Sequence, residues 1–305
     1  MKYFVLLLFI LITYVHSNAK QVHHVKNAHI KKKPLRLLNG RDSQTPEYPF
    51  IARMELQAVV QMSNYLVARN IHVCTCSIIS PVWALTAGHC IMSVTDVERR
   101  VPGSQGVIRY GLVTNTPFDK DTMSVIESYH PHPDYFSAAV KHAKMIMVRN
   151  DIGLMKMNEI SLPEYGRIGL ADYTSLYGYS IIVAGFGLTN SSEGMRDTLA
   201  LKKPLQVFEV VAMKCDASLK NRMYPGLCVA QRCGQAMALC PGDSGGPAMR
   251  GSRIVALTSL TYMADCASSN LRTRPNAVGF LTPISIYADW IMAKVVRNLL
   301  IRNGN

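Results

Sequence analysis

Residues 240–247 read Cys-Pro-Gly-Asp-Ser-Gly-Gly-Pro and set a serine, Ser244, among glycines. Glycine lacks Cβ, so the chain can turn sharply and bring backbone N–H groups close to a substrate. In such a turn the N–H groups of Gly242 and Ser244 can point at one spot and stabilise an oxyanion. A serine hydroxyl is a poor nucleophile until an adjacent base takes its proton. Leu85-Thr86-Ala87-Gly88-His89-Cys90 supplies a histidine, His89, beside a cysteine. Asn150-Asp151-Ile152-Gly153-Leu154-Met155 places a carboxylate at the head of an apolar run, where it can be buried. A buried Asp151 accepting the imidazole N–H would set the tautomer of His89 and stabilise the imidazolium. The chemistry is acyl transfer through a covalent serine intermediate. The serine segment alone also reads as a plain Gly-rich turn, so the argument rests on its partners.

These residues need a scaffold that brings distant segments together. From Gly40 onward the chain alternates short β-branched and aromatic runs with Gly, Pro, Asn and Asp. Val107-Ile108-Arg109-Tyr110, Ile181-Ile182-Val183-Ala184 and Ile254-Val255-Ala256-Leu257 are examples, and such spacing predicts an all-β fold. The segment from Tyr287 to Ile301 instead has helical apolar spacing. The stretches Pro49–Cys74, Cys90–Val107 and His132–Asp151 read as long loops. The last carries Lys141, His142, Lys144 and Arg149, a solvated charge run or a preference for acidic substrate residues.

The chain has 305 residues, nearly half of them hydrophobic, enough for one large or two small domains. Lys2, the apolar run Tyr3–Tyr14 and the small-residue site Val15-His16-Ser17 read as a signal peptide over residues 1–17. That run is short for a transmembrane helix, so no stable membrane anchor is expected. The formal net charge is +13, but seven basic residues and no acid fall within residues 1–36. The remainder carries 26 basic against 20 acidic side chains and lacks basic runs interleaved with aromatics, so nucleic-acid binding is not expected. Eight cysteines in a chain with a secretory start suggest disulfides, with the connectivity left open by spacing alone. Asn190-Ser191-Ser192 is a glycosylation sequon at Asn190.

The three motifs, in the order His89, Asp151, Ser244, resemble the trypsin/chymotrypsin family of serine proteases; subtilisins and α/β-hydrolases order their triads differently. The resemblance runs from about Leu37 to the C-terminal helix. It implies two six-stranded antiparallel β-barrels with the triad in the cleft between them. Barrel 1 would span about residues 37–160, barrel 2 about 161–286 and the C-terminal helix about 287–301. It implies the disulfides Cys74–Cys90, Cys215–Cys228 and Cys240–Cys266. Cys76 and Cys233 then pair with each other, pair between chains or stay free; a buried thiol suits Cys76, which stands where the family has a small glycine.

The resemblance further implies a zymogen. A basic propeptide, residues 18–36, would be cut after Arg36 by a trypsin-like protease, and the freed Leu37 amine would pair with Asp243. The floor of the substrate pocket falls on Ala238, its walls on Thr261 and Gly279, with Ser259 offering backbone groups to an extended substrate. An uncharged floor leaves a substrate cation unpaired, so cleavage after apolar residues, small to aromatic, is expected rather than after Lys or Arg. Calcium ligands are missing where Leu112 and Val113 stand, and neither metal nor cofactor is expected. The expected partners are protein or peptide substrates and a serpin-type inhibitor, acting on a secreted monomer. The competing reading is a non-catalytic protease homologue that binds a partner, since fold alone does not establish function.

Overall fold

The computed structural model describes residues 40–44, 47–62, 65–111, 122–140, 145–187, 204–232, 239–260 and 279–302. In chain order the first elements are β1 (Arg41–Asp42), β2 (Ile51–Met62), β3 (Tyr65–Ser80), β4 (Trp83–Thr86) and α1 (Gly88–Arg100). They are followed by β5 (Gln105–Arg109), β6 (Met123–Pro131), β7 (Phe136–Val140), β8 (Met145–Arg149) and β9 (Gly153–Met157). Strands β2, β3, β4, β9, β6 and β5 close in that order into an antiparallel barrel. Its interior holds Met54, Leu56, Ile78, Ala84, Ile108, Ile126 and Met155. Met54 and Leu56 occupy alternate positions of β2, as the period of a strand requires.

The second half comprises β10 (Arg167–Ile168), β11 (Ser180–Gly185), β12 (Gln206–Met213), α2 (Ala217–Arg222), β13 (Met223–Tyr224) and β14 (Leu227–Gln231). It ends with β15 (Pro247–Arg250), β16 (Arg253–Leu260), β17 (Gly279–Pro283) and α3 (Ala288–Arg302). Strands β12, β11, β15, β16, β17 and β14 form a second ring, closed by the pairing of β12 with β14. Val183, Val210, Leu227, Val229, Ala256 and Leu281 fill it. A third cluster joins the two barrels: Leu85, Ile152 and Leu154 of the first meet Phe186, Met249 and Leu257 of the second, with Ile291 of α3 packed in. The expected pair of six-stranded barrels with a C-terminal helix is the fold observed.

The three stretches read as long loops are largely regular structure. Pro49–Cys74 runs through β2 and most of β3, paired from Ile51–Ser77 to Met62–Tyr65 with one register shift between Met54 and Glu55. Cys90–Val107 begins in α1, a helix whose Cys90, Ile91 and Val94 are buried against the barrel. Their spacing is helical, but Ala87 at its start makes no side-chain cap, so no start signal marked it. His132–Asp151 contains the hairpin β7–β8, whose second strand also pairs in parallel with β13. Lys141, His142 and Lys144 lie outside the described residues, as do Leu112 and Val113.

Disulfides join Cys74 to Cys90, tying β3 to α1, and Cys215 to Cys228, closing the segment that holds α2. Cys240 is also disulfide-bonded, while Cys266 and Cys233 lie outside the described residues. Cys76 is a free thiol, fully buried, whose burial pushes its pKa up. Replacing both Cys74 and Cys90 by Ser should cost about 3 kcal/mol, the loop-closure value for a loop of this order. Urea unfolding of the double variant beside the parent measures it.

The segments read as signal peptide and propeptide, residues 1–36, and the sequon at Asn190 lie outside the described residues. Among the described residues no helix is long and apolar enough to cross a membrane.

Candidate active site

His89 stands in the first turn of α1, directly after β4, whose four residues are all buried. Asp151 stands between β8 and β9. The residue before it, Asn150, takes a left-handed backbone at φ 50°, a conformation Asn tolerates better than most residues. Asn150 is held there on both sides. Its Nδ2 donates to Asp134 O at 2.8 Å, and Tyr287 donates its hydroxyl to Asn150 Oδ1 at 3.0 Å. That turn sends the Asp151 side chain inward, where it is 2% exposed.

The buried carboxylate is fully partnered. Asp151 Oδ1 accepts the backbone N–H of His89 at 2.8 Å. Its Oδ2 accepts from His89 Nδ1 at 2.8 Å and from the Ser259 hydroxyl at 2.5 Å. Burial alone would raise the pKa of Asp151, but the His89 charge and these hydrogen bonds outweigh it and hold it below the ordinary value. Burial likewise opposes the His89 imidazolium, yet the Asp151 charge and hydrogen bond prevail and the His89 pKa rises. With its proton on Nδ1 facing Asp151, a neutral His89 keeps its acceptor lone pair on Nε2.

Ser244 lies in a turn between Cys240 and β15. Gly242 and Gly245 both have positive φ, 96° and 76°. A Cβ on Gly245 would lie 2.1 Å from Thr86 Oγ1 and 2.5 Å from Thr75 O, so only glycine lets the Ser244 loop dock on the first barrel. Gly245 N donates to Thr258 O at 2.7 Å and Gly246 N to Asp243 O at 2.9 Å. Asp243 is fully buried, its Oδ1 accepting from Gly187 N and its Oδ2 from Cys240 N, each at 2.8 Å.

The structure therefore brings His89, Asp151 and Ser244 into one hydrogen-bonded neighbourhood through Ser259. It does not draw a bond between Ser244 and His89. The Ser244 hydroxyl donates to Ser259 O at 3.4 Å, and His89 Nε2 lies 3.6 Å from Cys90 Sγ. Cys74, His89 and Cys90 have ligand-type atoms within 4.8 Å of one another, but the disulfide occupies both sulfurs and leaves no thiolate for a metal.

Of the pocket residues, Ser259 is buried, and its hydroxyl serves Asp151. Gly279 is buried on β17 against Leu239; a Cβ there would lie 2.2 Å from Leu239 Cδ1. Ala238, Thr261, Arg36 and Leu37 lie outside the described residues. Sequence reasoning missed the hydroxyl of Ser259, the Asn150–Tyr287 support and two side chains on the Gly242 carbonyl, His72 and Thr75. The adjacency of Asn150 to Asp151 was the only local signal for any of them.

A family model described as Trypsin matches residues 38–291. The chain belongs to the trypsin family. Its curated relatives within this family of serine proteases include kallikrein-15 of Homo sapiens, 27% identical, with 74% of this chain and 82% of that protein aligned. Trypsin-3 of Salmo salar is 26% identical over 74% of this chain and 84% of its own length. Clotting factor G beta subunit of Tachypleus tridentatus is 24% identical over 72% and 69%. The two barrels thus accompany the trypsin-family match, with the His89–Asp151 pair contributed by the first of them.

Proposed function

We propose that this trypsin-family chain is a secreted serine endopeptidase that cuts peptide bonds after uncharged, apolar residues. The observation that carries the reading is His89 locked by a buried Asp151 beside the glycine turn of Ser244. In the proposed cycle the Ser244 hydroxyl leaves Ser259 O and attacks the scissile carbonyl. His89 Nε2 takes the proton, and the new imidazolium is stabilised by Asp151. The N–H groups of Gly242 and Ser244 receive the oxyanion. Collapse expels the amine, which takes the proton from His89, and water repeats the sequence on the acyl-enzyme.

The preference for uncharged residues is supported by Leu239, packed against Gly279 and next to Ala238. A substrate cation buried among these groups would lack a counter-charge. Secretion is supported by the signal-peptide pattern and by the disulfides, which persist in oxidising compartments. Activation by cleavage after Arg36 is supported by the buried Asp243, one residue from Ser244, where the Leu37 amine would pair with it. Such a buried ion pair acts more as a registry device than as a stabiliser.

One observation favours the competing reading of a non-catalytic binding protein: the Ser244 hydroxyl bonds to Ser259 O and not to His89. Labelling decides between them. Protein cut at Arg36 should react with an organophosphonate at Ser244 and cleave a peptide library after apolar residues. The uncut chain should do neither. Cut protein that takes no label would leave the binding reading standing.

A further inference from the structure

Every polar atom of Thr75 is engaged, and most of its partners belong to the serine loop or its seat. Thr75 lies on β3, is fully buried and precedes Cys76. Its hydroxyl donates to Gly242 O at 2.8 Å and accepts the backbone N–H of Phe186 at 3.1 Å. Its own N–H donates to Ser244 O at 2.9 Å, and its carbonyl accepts the Thr86 hydroxyl at 3.0 Å. Thr86 ends β4, three residues before His89. The Thr75 methyl group lies at Gly246, where an added Cβ would come within 3.2 Å of it. The Thr75 side chain thus holds the carbonyl of the glycine whose amide is offered to the oxyanion, while its backbone holds the Ser244 carbonyl and the end of the strand that leads to His89.

We infer that Thr75 is a positioning residue for the oxyanion site, fixing the Gly242 backbone so that its N–H faces the reacting carbonyl. This rests on the reading of the chain as an acyl-transfer enzyme. Gly242 has positive φ and no side chain, so besides the turn closed by Asp243 N on Cys240 O its torsions are restrained by what holds its carbonyl. His72 Nε2 also reaches that carbonyl, at 3.2 Å, but at a longer distance and from a ring that turns about two side-chain bonds. The Thr75 hydroxyl sits on a β-branched side chain with one stiff torsion and is pinned from behind by Phe186 N. Donors that are in place before charge develops cost no reorganisation in the transition state, so a loosened Gly242 lowers kcat more than it raises KM.

Thr75→Val keeps the shape and removes the hydroxyl; Thr75→Ser keeps the hydroxyl and removes the methyl group. On Arg36-cut enzyme, Thr75→Val should lower kcat about 10–100-fold with KM within about 2-fold, less than the 10²–10³ lost with an oxyanion donor itself. Thr75→Ser should restore kcat to within a few-fold of the parent. A parent-like kcat in Thr75→Val, or a loss that Thr75→Ser shares in full, would overturn the inference. A second measurement needs no turnover. Hydrogen exchange of residues 239–247 should be about tenfold faster in Thr75→Val than in the parent and Thr75→Ser, since one buried hydrogen bond is lost. Unchanged exchange overturns the positioning role. A parent that takes no phosphonate label overturns only the enzymatic reading, and the exchange result then decides the role of Thr75.

Discussion

Ser244→Ala should lower kcat by roughly 10⁶-fold while leaving KM within a few-fold, the pattern for removal of a nucleophile from a working triad. The Ser244 hydroxyl is half-way out of the core and makes a single hydrogen bond, the 3.4 Å contact with Ser259 O. Its removal therefore strands no buried donor, and the Ser259 carbonyl loses only a long contact. The unfolding midpoint should stay within about 0.5 kcal/mol of the parent, as for substitutions that break no buried network. Steady-state kinetics on a peptide ester, with urea unfolding alongside, separates the two effects. A variant retaining activity within a hundredfold of the parent would show that some other group attacks the carbonyl.

Asp151→Asn should lower kcat by about 10⁴-fold, because an amide at this position turns a donor toward His89 and favours the wrong tautomer. The carboxylate accepts three hydrogen bonds, from His89 N, His89 Nδ1 and Ser259 Oγ. The amide oxygen can satisfy one side of this set, and the NH₂ must face a donor on the other. The pH profile adds a directional test. In the parent, Asp151 overcomes burial and raises the His89 pKa, so kcat/KM should rise with pH through a midpoint above the ordinary histidine value of about 6.5. In Asp151→Asn the carboxylate charge is gone and burial remains, so the midpoint should move to lower pH.

The same pair carries a stability signature. The lowered Asp151 pKa gives stability that is present above its unfolded value and lost as pH falls through the folded one. The raised His89 pKa gives stability that is present below its unfolded value and lost as pH rises through the folded one. The stability gap between parent and Asp151→Asn should therefore be widest between about pH 4 and about pH 6.5. Urea unfolding across that range measures it, and a gap that keeps growing above it would contradict the assignment.

Much of this site is legible in the residue order because the decisive features are local. A nucleophile turn is spelled by glycines within a few positions of Ser244, and β-branched runs such as Ile181–Ala184 and Ile254–Leu257 mark strands wherever they occur. The helix α1 was legible in principle, since Cys90, Ile91 and Val94 recur at helical spacing, but an uncapped start and the charged residues of its second half read as loop. The hairpin β7–β8 was not, because its pairing with β13 comes from a segment more than 70 residues further along the chain and no alternation within it announces that partner.

What residue order determined by itself is therefore the chemistry available: a hydroxyl in a glycine turn, an imidazole, a carboxylate before an apolar run, and strands enough for an all-β frame. What tertiary structure alone decided is which atoms meet. Ser259 bonds Asp151 across 108 positions, and Thr75 bonds the Gly242 carbonyl across 167. The Asn150 turn is held by Tyr287 from 137 positions away. Such contacts form only when two barrels close and dock, and their donors are the common hydroxyls of Ser259, Thr75 and Tyr287. Those groups carry no residue-specific mark, so a burial that leaves each of them partnered can be seen only in three dimensions.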